Sequence, residues 1–470
     1  MTQFTVISPV DGRTLLTRNY ASWAQIAAAA DAAEAAFPGW AATPLAERTG
    51  IVRRAVDWLV DHAEAIATDL AWSIGRPLHM ADETSRLDVV TNQLILDAEA
   101  TFEPMIYPSE GGITRYVKRA PRGLVLSICA WNYPVAMPAN MIVAPLLAGD
   151  TVIFKHAPQT TLIGEWFARA FEAAGLPEGV FQSLPMDHTD VARLIREKPV
   201  SVIQFIGSTR GGIALREASA SRPIELGLEM GGSDPAYVRA DADLKVTVSE
   251  LVSGSFGNSG QSCCSVERIY VHADIHDRFL EAFRAATGKL VLGHPISARP
   301  DLGPVVSAEA SRRIRALVEE AVAAGATAIL PEQPALEVAD PSAYVSPQIL
   351  AGADHDMRIM REEIFGPVVS VTKVADDDEA VTLMNDSRYA LSASVWSGSA
   401  HDAVRIGNRL RCGTFYHNKC DYADLYLPWG GVGWSGLGRI NGGAVGFGKL
   451  TEMKSYVLPE GEGCGGNSAG

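Results

Sequence analysis

From residue 151 onward the chain alternates short apolar runs with amphipathic stretches, and that rhythm restricts it to few architectures. The runs "TVIFK" (151–155), "SVIQFIG" (201–207), "PAYV" (235–238) and "RIYVH" (268–272) are each followed by apolar positions three and four residues apart. Those spacings predict helices over 160–174, 211–219, 242–255 and 274–289. Strands that are apolar throughout need cover on both faces, and helical crossovers supply it, so a parallel, doubly wound sheet follows. The pattern then restarts with "ATAIL" (326–330), "VVSVTKV" (368–374), "SASVW" (392–396) and "GTFYH" (413–417), with helices over 308–324, 377–386 and 400–409. A second α/β domain is expected, and 470 residues suffice for two cores.

The opening reads as helical, with Ala-rich stretches at 22–36 and 45–71 each taken as one helix. Extended structure begins near residue 113, where "TRYVKRAPRGLVLSICA" holds a strand or two around a Pro-Arg-Gly turn. The last stretch, "PEGEGCGGNSAG" (459–470), is polar and Gly-rich and is expected to be disordered, leaving Cys464 without a role.

A formal charge of −15 argues against a nucleic-acid or anionic-membrane partner. No basic leader and no membrane-length apolar run is present, so a cytoplasmic location is expected. Six scattered cysteines make no disulfide framework, and His272 and His276 lack a third ligand, so no metal is expected.

Four short segments carry possible chemistry. In "GLEMGGSDP" (227–235), Glu229 beside paired glycines is either a partly buried general base or a turn residue. In "AWNYP" (130–134), Asn132 either donates to a developing oxyanion or caps a loop. "FIGSTRGG" (205–212) places Gly207, Ser208 and Gly212 where a strand passes into a helix, a turn that can face a phosphate, although the spacing is not Gly-x-Gly-x-x-Gly. "GNSGQSCCSVER" (257–268) sets Cys263 beside Cys264 with no histidine nearby in sequence, so a carboxylate is a candidate activating base.

These segments, in this order and together with "REEIFGPV" (361–368) and "LPWGGVGWSGLGR" (427–439), resemble the aldehyde dehydrogenase superfamily from about residue 5 to 458. The resemblance implies an α/β fold with a Rossmann-type NAD(P)-binding domain (1–102 and 122–231), a catalytic domain (232–448) and oligomerisation strands (103–121 and 449–458). It assigns the nucleophile to Cys263, the water-activating base to Glu229, and the oxyanion donors to Asn132 and the Cys263 N–H. On the cofactor side it implies Trp131, Lys155, Gly207, Ser208, Gly231, Glu363 and Phe365. Pro158 stands where NAD-specific members carry a ribose-binding glutamate, which leaves NAD and NADP both open. "GGSD" and "GRIN" replace the family's Gly-Gly-Lys and Gly-Arg-Glu.

Asn140 and Gly257 occupy the positions where succinate-semialdehyde members place arginines. Tyr133, Met137, Tyr422, Tyr426 and Trp429, with Gly257 and Cys264, would flank the substrate tunnel and suit an uncharged aldehyde, aromatic or of medium chain length. The resemblance implies a homodimer or homotetramer acting on a small aldehyde. A coenzyme-A-acylating enzyme would lack the glutamate at position 229; a catalytically silent member of the fold, or an esterase using the same cysteine, are the other readings.

Overall fold

The computed structural model describes residues 2–330, 336, 338–440 and 443–459. Five strands, Leu124–Ile128, Thr151–Lys155, Phe181–Ser183, Val200–Ile206 and Glu225–Glu229, pair in parallel. Alternate residues of these strands feed two cores. Leu124, Leu126, Ile153 and Ile203 pack with Ile26 and Leu194 on one face. Val125, Val152, Phe154 and Val202 pack with Val52, Leu70 and Ile142 on the other. Both faces are therefore covered, as continuous apolar strands require.

The second sheet has seven strands, in the spatial order Thr327–Ala328, Gln348–Ala351, Val368–Val374, Val266–His272, Asp234–Val238, Ser392–Trp396 and Thr414–His417. All pairings are parallel except that of Thr327–Ala328. Its strands alternate in the same way, Tyr237 and Val395 entering one core and Val238 and Trp396 the other. A two-residue strand, Gly436–Leu437, returns from beyond the second sheet to pair antiparallel with Glu229 and Leu228 at the edge of the first.

Three antiparallel strands, Met105–Glu110, Ile113–Pro121 and Thr451–Pro459, form a separate sheet in which Tyr116 and Tyr456 stack at 4.6 Å. Ile106, Met453 and Val457 stand exposed on it.

Several local expectations need correction. The chain opens with a hairpin, Gln3–Ile7 against Thr14–Asn19, ahead of the first helix, Trp23–Ala42. The single helix expected over 45–71 is two, Leu45–Asp61 and Ala63–Ile74. The break falls at His62 (φ −106°, ψ 16°), whose ring stacks on Trp58 at 3.8 Å and whose Nδ1 bonds the Trp58 carbonyl at 2.7 Å. The strand expected over 326–330 is reduced to Thr327–Ala328. Residues 449–450 end the helix Gly443–Leu450 and are not extended. Of the tail expected to be disordered, Pro459 closes a strand, and 460–470, with Cys464, lie outside the described residues.

Candidate active site

In the first sheet the chain order reverses between Leu124–Ile128 and Val200–Ile206, and the crevice beyond the carboxyl ends of such strands is where ligands bind in this architecture. A cavity of about 250 Å³ lies there. Ala130, Trp131 and Asn132 reach it from the end of Leu124–Ile128, and Gly207 and Ser208 from the end of Val200–Ile206. Glu229, the last residue of Glu225–Glu229, joins them with Gly231. From the later part of the chain come Arg313, on the helix Ala308–Ala323, and Cys263, Glu363, Phe365, Leu391 and Trp429, on segments that connect to or leave the strands of the second sheet.

Cys263 sits between the helix Leu244–Phe256 and the strand Val266–His272, just after a tight turn. Asn258 (φ 50°) and Ser259 (φ 58°) are left-handed there, and so is Gly260 (φ 69°), where a Cβ would run into the Gly366 carbonyl. The Asn258 side chain holds the turn: its Nδ2 donates to the Asn132 and Gln261 carbonyls, each at 3.2 Å, and its Oδ1 accepts from Arg76 Nε at 3.1 Å. The Gln261 Oε1 accepts from Val306 N–H at 2.7 Å. Asn132 is tied to the same turn, its Nδ2 donating to the Gln261 carbonyl at 3.1 Å.

The two adjacent cysteines face different surroundings. Cys263 is half-buried and lines the cavity. Cys264 is buried, and its thiol donates to Asp421 Oδ1 at 3.0 Å. The contact with Cys263, burial and the Asp421 charge hold the Cys264 thiol well above its ordinary pKa, so it stays protonated.

Glu229 is 3% exposed. Burial first, then the neighbouring Cys263 sulfur, raise its pKa well above the carboxylate range; Arg439, the Gly431 N–H and Lys449 pull more weakly the other way. The Gly431 N–H lies near without closing a hydrogen bond, and neither carboxylate oxygen has a partner among the described residues. Gly430, at φ 151°, must be bare, because a Cβ would collide with that carboxylate.

Across the cavity Glu363 accepts from the Gly232 N–H at 3.1 Å, and burial, with Glu267 adding to it, pushes its pKa up to about 8. A Cβ on Gly231 would run into the Glu363 carboxylate, which explains the paired glycines. Phe365 (φ 51°) meets Trp131 edge to face at 5.5 Å.

A sequence model described as "Aldehyde dehydrogenase family" matches residues 1–456. The chain belongs to the aldehyde dehydrogenase family. A succinate-semialdehyde dehydrogenase [NADP(+)] of Deinococcus radiodurans is 32% identical over 93% of this chain and 91% of its own. A betaine aldehyde dehydrogenase of Agrobacterium fabrum is 31% identical over 98% and 94%. The crystal structure of an NADP-dependent glyceraldehyde-3-phosphate dehydrogenase from Bacillus halodurans, complexed with NADP, superposes with a TM-score of 0.91 at 30% identity, covering 97% of this chain and 96% of that one.

Within this aldehyde dehydrogenase fold, one cavity gathers Asn132, Glu229 and Cys263 with Trp131, Gly207, Ser208, Gly231, Glu363, Phe365, Met137 and Trp429. Other expected residues stand apart. Lys155 ends its strand, buried, with Nζ 3.5 Å from the His156 carbonyl, and Pro158 is exposed at the start of a short turn. Burial lowers the Lys155 pKa to about 8, with Asp187 opposing. Tyr133 packs under the Arg76 guanidinium at 4.7 Å, Gly257 follows the end of the helix Leu244–Phe256, and Tyr422 packs against the core. Tyr426 is 71% exposed and lines neither this cavity nor its neighbour. That neighbour shares Met137 and is lined by Gln93, Leu94, Asn140 and Leu425.

Sequence reasoning missed Arg313, Glu267 and the pair Arg76 and Glu83. Arg313 lines the cavity and donates to the Glu363 carbonyl at 3.0 Å. Glu267 accepts from the Ile364 and Phe365 N–H groups at 2.8 and 2.9 Å, pinning the left-handed backbone. Arg76 forms a buried ion pair with Glu83, and its guanidinium also donates to the Asn132 carbonyl. The Val135 and Ala136 N–H groups bond the other Glu83 oxygen, each at 2.9 Å. Arg76 and Glu83 precede Asn132 by 56 and 49 positions in regions with no motif, so only the folded contact reveals them.

Proposed function

We propose that the protein oxidises an aldehyde to the carboxylic acid with NAD(P)+ and water, with Cys263 as nucleophile. The supporting observation is that Cys263, Glu229 and Asn132 share one cavity. The Cys263 thiolate forms the C–S bond to the carbonyl carbon. The electron pair displaced onto oxygen is then met by the Asn132 amide and the Cys263 N–H. NAD(P)+, when bound beside Ser208 and Glu363, would supply the hydride acceptor, and Cys263 would then hold the acyl group as a thioester. Glu229 takes a proton from the attacking water, the C–S bond breaks, and the acid leaves. A carboxylate whose pKa burial has raised is a better base than an exposed one, which suits this role.

The residues present fit a dinucleotide. Ser208 caps the helix Thr209–Ser219, accepting from Gly211 N–H at 3.2 Å, so the positive end of an 11-residue helix opens on the cavity wall. Glu363 and Arg313 stand in the same cavity, a carboxylate for a ribose and a cation for a pyrophosphate. Pro158 offers no charge against a 2′-phosphate, which leaves the turn able to accept NADP as well as NAD.

The names of the relatives point to aldehydes of opposite charge, so the lining of this chain carries the choice. Met137, Trp429 and Leu425, with the amides of Asn140 and Gln93 and with one cation, Arg86, against one carboxylate, Asp424, leave the lining without net charge and suit an uncharged aldehyde, aromatic or of medium chain length. The chain divides in this reading into an NAD(P)-binding domain, a catalytic domain and the three-stranded extension, whose exposed Ile106, Met453 and Val457 would be covered in a homo-oligomer. Among the described residues no helix is long and apolar enough to cross a membrane.

The test is formation of reduced nicotinamide over aliphatic, aromatic and carboxylated aldehydes, with NAD and NADP in parallel and no coenzyme A. Turnover that requires coenzyme A would replace this reading with the acylating one.

A further inference from the structure

We infer that Asp421 is a positioning residue that aims the Cys263 thiol by gripping both of its sequence neighbours; the inference rests on the reading of Cys263 as nucleophile. Asp421 Oδ1 accepts from Ser262 Oγ at 2.7 Å and from Cys264 Sγ at 3.0 Å. Those two side-chain atoms are themselves 3.5 Å apart, so one oxygen closes a triangle across the nucleophile position. Ser262 and Cys264 are 4% and 6% exposed, whereas Cys263 between them opens on the cavity. Ser262, Cys263 and Cys264 share a turn that the Ser265 N–H closes on the Ser262 carbonyl at 3.2 Å. Holding residues 262 and 264 on one carboxylate therefore fixes the turn that presents the Cys263 side chain to the cavity.

The gripping group is itself held. Asp421 adopts a left-handed backbone (φ 46°) in the loop beyond the strand Thr414–His417. On one side Asn418 exchanges hydrogen bonds with Ser397, each at 3.0 Å; on the other the Tyr416 hydroxyl donates to the Tyr422 carbonyl. The edge strand of the second sheet thus sets where the thiol points. Both donors on Oδ1 come from the neighbours of Cys263, which makes Asp421 a clamp acting through them and separates it from a base acting on the thiol.

The test uses the full-length enzyme, saturating NAD+ and the best aldehyde of the panel above. Displacement of a reacting group by about 1 Å can cost about 100-fold, so Asp421→Ala should lower kcat about 10- to 100-fold and leave the KM for NAD+ within about threefold. The double variant Ser262→Ala/Cys264→Ala, which keeps Asp421 and its loop, should reproduce that loss. Asp421→Asn, which retains an acceptor oxygen, should recover most of it. The rate of Cys263 alkylation by iodoacetamide, followed by peptide mass spectrometry, should fall in Asp421→Ala and return in Asp421→Asn. An Asp421→Ala enzyme within about threefold of the parent kcat, or a double variant that turns over normally beside an impaired Asp421→Ala, overturns the clamp. Cys263→Ala separates the two levels: if it remains active, the nucleophile assignment fails, and the clamp with it.

Discussion

Asn132 and Gln261 are joined by a hydrogen bond, the Asn132 Nδ2 donating to the Gln261 carbonyl at 3.1 Å, two residues before Cys263. The amide proposed to bind the oxyanion and the turn that carries the nucleophile thus move as one body. Replacing Asn132 with Ala removes both the donor and this tie. The expected loss is about 100- to 1,000-fold in kcat, measured with saturating cofactor and aldehyde.

Glu229 ties stability to pH. Its pKa in the folded protein is raised above the ordinary 4.5, so the fold holds the proton more tightly than the unfolded chain does. The contribution of Glu229 to stability is therefore full below 4.5 and is lost as pH rises from there through the raised value, where the unfolded chain gains from ionising. Glu229→Gln removes that decline, so the variant should gain on the parent as pH rises. Urea unfolding at acidic and alkaline pH checks this, and single-turnover thioester hydrolysis in the same variant should be slowed.

The two cysteines should part company on mutation. Cys263→Ala is expected to abolish both dehydrogenase and esterase activity. Cys264→Ala leaves the Ser262–Asp421 hydrogen bond in place and should cost no more than a few-fold in kcat. Steady-state assays of both variants make the comparison, and the reverse pattern would transfer the nucleophile to Cys264.

Arg76→Met strands Glu83 in the interior with only the Val135 and Ala136 N–H groups on it. Breaking a buried pair in this way costs about 3–5 kcal/mol, so the melting temperature should fall. Adding Glu83→Gln removes the unpaired charge and should restore part of the loss. Calorimetry on the single and double variants reads both effects.

Pro158→Glu would place a carboxylate on an exposed turn near Lys155. Repulsion against a 2′-phosphate should raise the KM for NADP while that for NAD changes little. Cofactor titrations of the variant test the assignment of this turn.

The legible part of the fold is the part with repeated physical structure. Strands such as Thr151–Lys155, Val368–Val374 and Ser392–Trp396 are buried at most or all positions, and each coincides with a run read from sequence. The break at His62 was hidden because Leu59, His62 and Ile66 preserve helical spacing across it. In the site, Cys263, Glu229 and Asn132 announce themselves through local motifs and meet in one cavity. Beyond the Arg76–Glu83 ion pair itself, Arg76, Glu83 and Asp421 act through partners at least 52 positions from them in the chain, and spacing along the chain carries no trace of such pairings. Tyr133 and Tyr422 were drawn to the tunnel by their aromatic character, yet the structure uses that character in packing.

The strand Gly436–Leu437 gives this chain an order of assembly. During synthesis the sheet ending at Glu229 stays open along one edge until some two hundred further residues have left the ribosome. A nascent chain that stops short of Gly436 therefore leaves the outer edge of Leu228 and Glu229 open, and the two halves of the molecule complete each other only once that later segment exists.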